Sequence, residues 1–125
     1  SAIVDATATI RVGGVVTVSA TPPTVASGFG TTPSIVASNG TAAFTVNVGT
    51  GGTASAGVLT MPTATTGWNC AVANRTALAA NVANARTVQT ATTTTTVTVQ
   101  NQTISTGAAL VWTASDILVF SCLAY

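Results

Sequence analysis

The chain is almost without charge. Charged residues make up 4% of its 125 residues, whereas globular domains usually carry roughly 25%. The sequence contains no lysine, no glutamate and no histidine. Its charged residues are Asp5, Arg11, Arg75, Arg86 and Asp116. Three scattered arginines do not form the clustered basic patch that phosphate binding requires, so we expect no nucleic-acid partner.

The same scarcity argues against an enzyme. General acid–base catalysis needs titratable groups within hydrogen-bonding reach of each other, and the two carboxylates, Asp5 and Asp116, lie near opposite ends of the sequence. A cysteine or serine nucleophile would have no histidine or lysine as its base. Asp116 follows "TAS" and precedes an apolar run, so we interpret it as the cap of a turn. The sequence therefore predicts neither a catalytic site nor a cofactor.

Cysteine is scarce as well, with Cys70 and Cys122 the two in the chain. Without histidine they cannot supply the usual four ligands of a zinc site, so we expect no bound metal. Free cysteines are among the most buried residues in proteins. Two reduced, buried thiols are therefore the prediction, with a disulfide as the alternative.

Long apolar runs are missing too. A membrane span needs about 20 continuous apolar residues, and Thr, Ser, Gly or Asn interrupts every run within a few positions. The N-terminal "SAIVDATATI" has neither the basic nor the apolar region of a signal peptide. Yet the chain is 47% hydrophobic with a mean hydropathy of +0.59, which is unlike a disordered protein. We expect a folded domain whose surface is neutral or covered by partners.

What the sequence has in abundance is the pattern of β-strands. Apolar and polar side chains alternate with a period of two in 42–49, 67–74, 93–101 and 116–125. The last of these is apolar on both faces, which predicts a central strand or one covered by a neighbouring subunit. The residues expected in the core are Phe44, Val46, Val48, Trp68, Cys70, Val72, Trp112, Leu118, Phe120 and Cys122.

Turn residues separate these stretches. Proline and glycine clusters at 21–33, 38–40, 49–52, 62–67 and 105–108 predict connections. Only 77–85 has enough alanine for a helix, and its Asn and Val content favours a loop or single turn. The prediction is an all-β fold, a β-sandwich or jelly-roll-like single domain.

A run of five threonines occupies 92–96. No repeat of fixed period accompanies it, which argues against a threonine-ladder solenoid. We interpret the run as a strand whose hydroxyl face meets water or a partner, since cross-strand threonine pairs stabilise sheets.

The two ends of the chain differ in character. Residues 1–26 are predicted as an N-terminal arm or hairpin with a Pro/Gly linker, and 27–125 as the sandwich domain. Arms of this kind pair with the sheet edge of another subunit; alternatively, residues 1–20 supply two ordinary strands of the same sandwich. The interface candidates are Ile3, Val4, Ile10, Arg11, Arg75 and Arg86, with solvated surface positions an equal alternative for the last two.

The two tryptophans have two interpretations. Trp68 and Trp112 could stack on a sugar ring, as aromatic residues do in carbohydrate-binding sites. Each lies in an apolar, strand-like stretch, which favours the core or a subunit contact.

Two segments resemble a known module. They are "GFGTTPSIVASNGTAAFTVNVGTGGTASAGVLTMPTATTGWNCAVAN" at 28–74 and "LVWTASDILVFSCLAY" at 110–125. This progression of turns and core positions is similar to a β-rich structural module of tailed-bacteriophage virion proteins. No long shaft or coiled coil precedes the module, which disfavours a complete tail fibre. Residues 1–20 match no part of it.

The resemblance implies a non-enzymatic virion protein, because such modules occur in capsid decoration (cement) proteins, head fibres and tail-fibre tips. The expectation is a decoration protein on the outer capsid surface, assembled in the bacterial host cytoplasm. Its partners would be the major capsid protein and further copies of itself, as a trimer or dimer. The alternative is a tail-fibre or head-fibre tip that binds a host receptor or glycan. A bacterial surface adhesin or pilus-like subunit is a third hypothesis, and it predicts a Cys70–Cys122 bridge and a precursor with a signal peptide.

Overall fold

The computed structural model describes residues 19–50, 54–76 and 84–125. Across these three ranges the chain forms eight β-strands and no helix, which confirms the all-β prediction. The strands are β1 (Thr24–Gly28), β2 (Ser34–Asn39), β3 (Ala43–Asn47), β4 (Ala56–Thr60), β5 (Trp68–Asn74), β6 (Ala85–Thr92), β7 (Thr96–Thr103) and β8 (Ile117–Ala124).

The strands form two antiparallel sheets of four strands each. Sheet A has the order β2-β3-β8-β5 and sheet B the order β1-β4-β7-β6. One hydrophobic cluster contains the inward-facing side chains of both sheets, so the predicted β-sandwich is confirmed. β8 is a central strand of sheet A, as its two apolar faces predict.

The core is built from alternating positions along each strand. Phe44 of β3 lies directly opposite Phe120 of β8, and their rings stack with centroids 4.8 Å apart. Of the ten core candidates, Val72 is half-buried and packs against the cluster. The other nine are buried: Phe44, Val46, Val48, Trp68, Cys70, Trp112, Leu118, Phe120 and Cys122.

Phe29 is a core residue that the sequence pattern did not reveal. It is buried, has a positive φ of 64°, and stacks on Trp112 with ring centroids 5.4 Å apart. Gly57 makes room for it, since a Cβ there would lie 2.2 Å from the Phe29 ring. Phe29 belongs to 21–33, which we predicted as a connection only.

That prediction is wrong for part of the stretch, because β1 occupies Thr24–Gly28. β1 is an edge strand that pairs only with β4 among the described strands. An edge strand tolerates the nearby Pro22, Pro23 and Gly28, since one of its sides needs no ladder partner. The predicted boundary between residues 26 and 27 falls inside this strand.

The threonine run is also not the continuous strand we predicted. β6 ends at Thr92, a turn follows, and β7 begins at Thr96. The Thr93 hydroxyl accepts hydrogen bonds from the backbone N–H of Thr95 at 3.2 Å and of Thr96 at 2.9 Å. Threonine side chains can close turns in this way, and here local hydrogen bonds prevail over strand propensity.

The predicted pair of reduced thiols is corrected by a disulfide between Cys70 and Cys122. The two residues lie directly opposite each other on β5 and β8, with their Cα atoms 4.1 Å apart. The bridge depends on the register between strands separated by 52 residues of sequence, which neither cysteine's local sequence reveals. It fastens an edge strand of sheet A to a central one.

Several predictions concern positions outside the described residues. The interface candidates Ile3, Val4, Ile10 and Arg11 lie there, as does most of the stretch 77–85 predicted as a loop or single turn.

Candidate interaction surfaces

The outer face of sheet B is polar and neutral along its central strand β7. Its inward positions are buried valines and Asn101, so the alternate residues point outward. These outward residues are Thr96, Thr98, Gln100 and Gln102. Val58 and Val88, opposite Thr98 and Gln100, are half-buried. The hydroxyl and amide groups of this face bond well to water.

The outer face of sheet A is more apolar. We call its outward residues on β8 the β8 face: Ile117, Val119, Ser121 and Leu123. Small or neutral neighbours surround it, with Thr45 and Ala73 opposite Val119 and with Ala71 opposite Ser121. Leu123 is 46% exposed. A central strand thus presents apolar side chains on a face without charge.

A groove of about 370 Å³ continues the β8 face at the Ile117 end. Val36, Thr45, Thr76 and Arg75 line it together with Ile117. Val36 is 53% exposed, and the Arg75 backbone N–H donates to the Ile117 carbonyl at 2.8 Å. This end is where a cation borders the apolar surface.

Asp116 is buried beside this region and does not reach the surface. Its Oδ2 accepts hydrogen bonds from Asn74 Nδ2 at 2.8 Å and from the Thr113 backbone N–H at 3.0 Å. The Asp116 N–H donates back to the Thr113 carbonyl at 3.1 Å. The carboxylate therefore holds a turn to β5. No group of three potential metal ligands occurs within the described ranges.

The structure keeps the two described arginine candidates on different sheets. Arg75 follows β5 of sheet A, and Arg86 lies on β6 of sheet B opposite Gln102. Both are exposed. Arg86 borders a second groove of about 230 Å³, which Val72, Asn74 and Thr87 also line.

Both tryptophans are withdrawn from the surface. Trp68 is 1% exposed and donates its Nε1–H to the Pro62 carbonyl at 3.0 Å. Trp112 is 5% exposed and donates its Nε1–H to Thr87 Oγ1 at 3.2 Å. Neither indole presents a face on which a sugar could stack, which counts against a tryptophan-based glycan site.

Gln89 closes one side of the sandwich, where the edge strands β5 and β6 meet. Its Oε1 accepts the Cys70 backbone N–H at 2.7 Å, and its Nε2 donates to the Trp68 carbonyl at 2.7 Å. The Trp68 backbone N–H donates to Thr92 Oγ1 at 2.9 Å. A side-chain amide thus takes the place of a neighbouring strand. The sequence held no signal for this role, because it depends on which edges come together.

No protein-family model, curated protein or solved structure matches the chain. Within the described residues, no helix has the length and apolar character to cross a membrane.

Proposed function

We propose that the protein is a bacteriophage virion structural protein, a capsid decoration (cement) protein that binds the outer face of the capsid. The observation that supports this most is the β8 face, where Val119 and Leu123 project from a central strand of an uncharged sheet surface. Interface cores are depleted of charged residues and enriched in apolar ones. The mechanism is binding alone.

In the proposed decoration protein, the two outer faces of the sandwich have different roles. The β8 face binds the major capsid protein, and burial of apolar area stabilises the complex by about 25 cal/mol per Å². The polar face of β7 remains toward solvent. Each copy contributes a modest free energy, and many copies together resist pressure from within the capsid.

The sequence resemblance to virion modules at 28–74 and 110–125 supports the same proposal. It also supports self-association into a trimer or dimer. The fibre-tip alternative relied on exposed tryptophans, and the burial of Trp68 and Trp112 makes it the weaker of the two.

One observation favours a second candidate, a bacterial surface adhesin or pilus-like subunit. Disulfides persist in oxidising surroundings outside the cytoplasm, and Cys70 and Cys122 are bridged. A virion protein meets such surroundings after release from its host, whereas a surface subunit meets them during assembly.

The first experiment is the copy number of the chain per purified virion, by quantitative mass spectrometry against the major capsid protein. A decoration protein gives one copy per capsid subunit or a simple fraction of that. A handful of copies would move the protein to the tail or a fibre. Absence from virions, with the chain found on the bacterial surface, would support the second candidate instead.

A matched pair of variants then tests the binding face. Leu123→Asp places a charge on the β8 face, and Thr98→Asp places the same charge on the outward side of β7. We expect Leu123→Asp to weaken binding to undecorated capsids by about tenfold or more, because an interfacial carboxylate loses its hydration. Thr98→Asp should bind as the unmodified chain does. Equal binding by both variants would contradict the assignment of the face.

A further inference from the structure

The two sides of the sandwich, where the edge strands of the sheets lie, differ in their hydrogen bonding. On one side, Gln89 and Thr92 hydrogen-bond to the backbone of β5 and close the gap between the sheets. On the other side lie β1 and β2, which among the described strands pair only with β4 and β3. Each therefore has one side whose backbone groups no described strand pairs.

A groove of about 490 Å³ separates these two open edges; we call it the β1–β2 groove. Its walls include Val25 and Ile35, which are partly buried and pack against the hydrophobic core. Pro22, Pro23 and Pro33 also line the groove, and they come just before the two strands begin. Proline has no N–H to donate, so the prolines confine pairing to β1 and β2.

The segment 1–18 contains a strand pattern suited to such a groove. Between residues 2 and 12 the even-numbered side chains are all apolar, and the odd-numbered ones are polar except at Ile3. The apolar set is Ala2, Val4, Ala6, Ala8, Ile10 and Val12. A strand with one apolar face must bury that face against a core. Pairing at an open sheet edge buries the face and also satisfies the backbone hydrogen-bonding groups of the edge.

The attachment point of this segment favours a neighbour over the chain's own groove. Both backbone groups of Ser19 bond to Thr41: Ser19 N–H donates to Thr41 Oγ1, and Ser19 C=O accepts the Thr41 N–H, each at 2.8 Å. The Thr41 carbonyl in turn accepts the N–H of Cys122 on central strand β8. Residues 20–23 already lead from there to β1, so the segment before Ser19 would have to double back to enter its own groove.

We infer that residues 2–12 of a neighbouring copy of this chain bind in the β1–β2 groove as an added strand. The odd-numbered polar side chains face solvent, and Val4 and Ile10 face the core beside Val25 and Ile35. Residues 13–18 connect the two bodies, and six extended residues span roughly 20 Å. The inference deepens the proposed function, because it assigns the self-association to a named segment and to a surface other than the β8 face.

Two full-length variants test it by changing adjacent residues on opposite faces of the segment. Ile10→Asp charges the apolar face, and Thr9→Asp charges the polar face. The measurement is the concentration dependence of molar mass by size exclusion with light scattering. We expect the unmodified chain to associate, and Ile10→Asp to raise its dissociation constant by about tenfold or more. Thr9→Asp should associate as the unmodified chain does.

Cross-linking distinguishes a neighbour's segment from the chain's own. Thr7→Cys is introduced in one tagged chain and Ser34→Cys, at the groove, in another with a different tag, because both positions lie on the solvent side. After mixing and mild oxidation, a disulfide-linked species carrying both tags supports the inference.

Three results would overturn it. One is an unmodified chain that stays monomeric at every concentration. Another is equal loss of association in Ile10→Asp and Thr9→Asp. The third is a mixture of the two cysteine variants that forms no disulfide-linked species carrying both tags. Loss of capsid binding in Leu123→Asp is measured separately, so failure here leaves the proposed function standing.

Discussion

Gly57 shows how one absent side chain decides where another packs. The Phe29 ring occupies the space above the Gly57 Cα and stacks on Trp112. Phe29 cannot retreat easily, because it is 1% exposed and its φ is positive. The glycine within β4 is therefore a requirement of the core.

We expect Gly57→Ala to lower the free energy of unfolding by about 1–3 kcal/mol, the usual cost of overpacking a core. Urea denaturation measures the change. Thr60→Ala is the control, since Thr60 is an exposed residue of the same strand and such changes usually stay within about 0.5 kcal/mol. Equal stability of Gly57→Ala and the unmodified protein would show that the ring has room to move.

Gln89 is a second position at which the fold depends on one side chain, because its amide bonds to the backbone of β5 in the place of a neighbouring strand. Gln89→Ala leaves the Cys70 N–H and the Trp68 carbonyl without their partners. We expect a loss of about 1–3 kcal/mol, the cost of unsatisfied polar groups. Hydrogen exchange checks the mechanism, because the Cys70 amide should lose protection. Gln100→Ala, on the outward side of β7, is the control and should leave that amide protected.

At the scale of elements, the turn after β6 depends on one hydroxyl in a run of five. The Thr93 hydroxyl bonds to two backbone N–H groups and lies 2.7 Å from the Thr96 hydroxyl. We expect Thr93→Val to destabilise the protein by about 0.5–1.5 kcal/mol. Thr94→Val, in the same exposed turn, is the control. Thermal unfolding of the two variants measures the difference, and equal midpoints would contradict the role of Thr93.

The disulfide joins elements that the sequence keeps far apart. By the chain-entropy estimate, a bridge across 52 residues of sequence contributes about 4 kcal/mol. We expect the unfolding free energy of Cys70→Ala/Cys122→Ala to fall by roughly that amount. Intact mass spectrometry of the unmodified protein should show the loss of two hydrogens relative to the reduced chain. A full pair of free thiols in the purified protein would contradict the bridge.

Four of the strands are recognisable from the sequence. Strict alternation identified β3, β5, β7 and β8 and placed Phe44, Trp68 and Leu118 in the core, because one buried face leaves a period of two. The sequence did not reveal β1, since an edge strand buries little and its residues resemble a connection. The disulfide and the amide of Gln89 depend on register and on which edges meet. Neither is a property of neighbouring residues.

At the scale of the whole molecule, the low charge predicts how the free energy of unfolding responds to salt. The chain carries a net charge of +1 with five charged residues in 125. Salt therefore has few charge–charge interactions to screen. We expect the free energy of unfolding to change by less than about 1 kcal/mol between low salt and roughly 1 M sodium chloride.

We expect the affinity for capsids to change as little with sodium chloride as the free energy of unfolding does. Titrations of capsids at both salt concentrations measure this. A steep loss of affinity with salt would point to a basic contact, and Arg75 beside the β8 face would be the residue to change next.

Because both indoles are buried, the intrinsic tryptophan fluorescence reports whether the protein is folded. Trp68 and Trp112 are each enclosed and each hydrogen-bonded through Nε1, and they are the two tryptophans of the chain. Their emission therefore reads the state of the interior, shifting to the red when water enters. We expect ligands that dock on either outer face to leave this emission unchanged. Intrinsic fluorescence can thus separate a variant that no longer folds from one that folds and no longer binds.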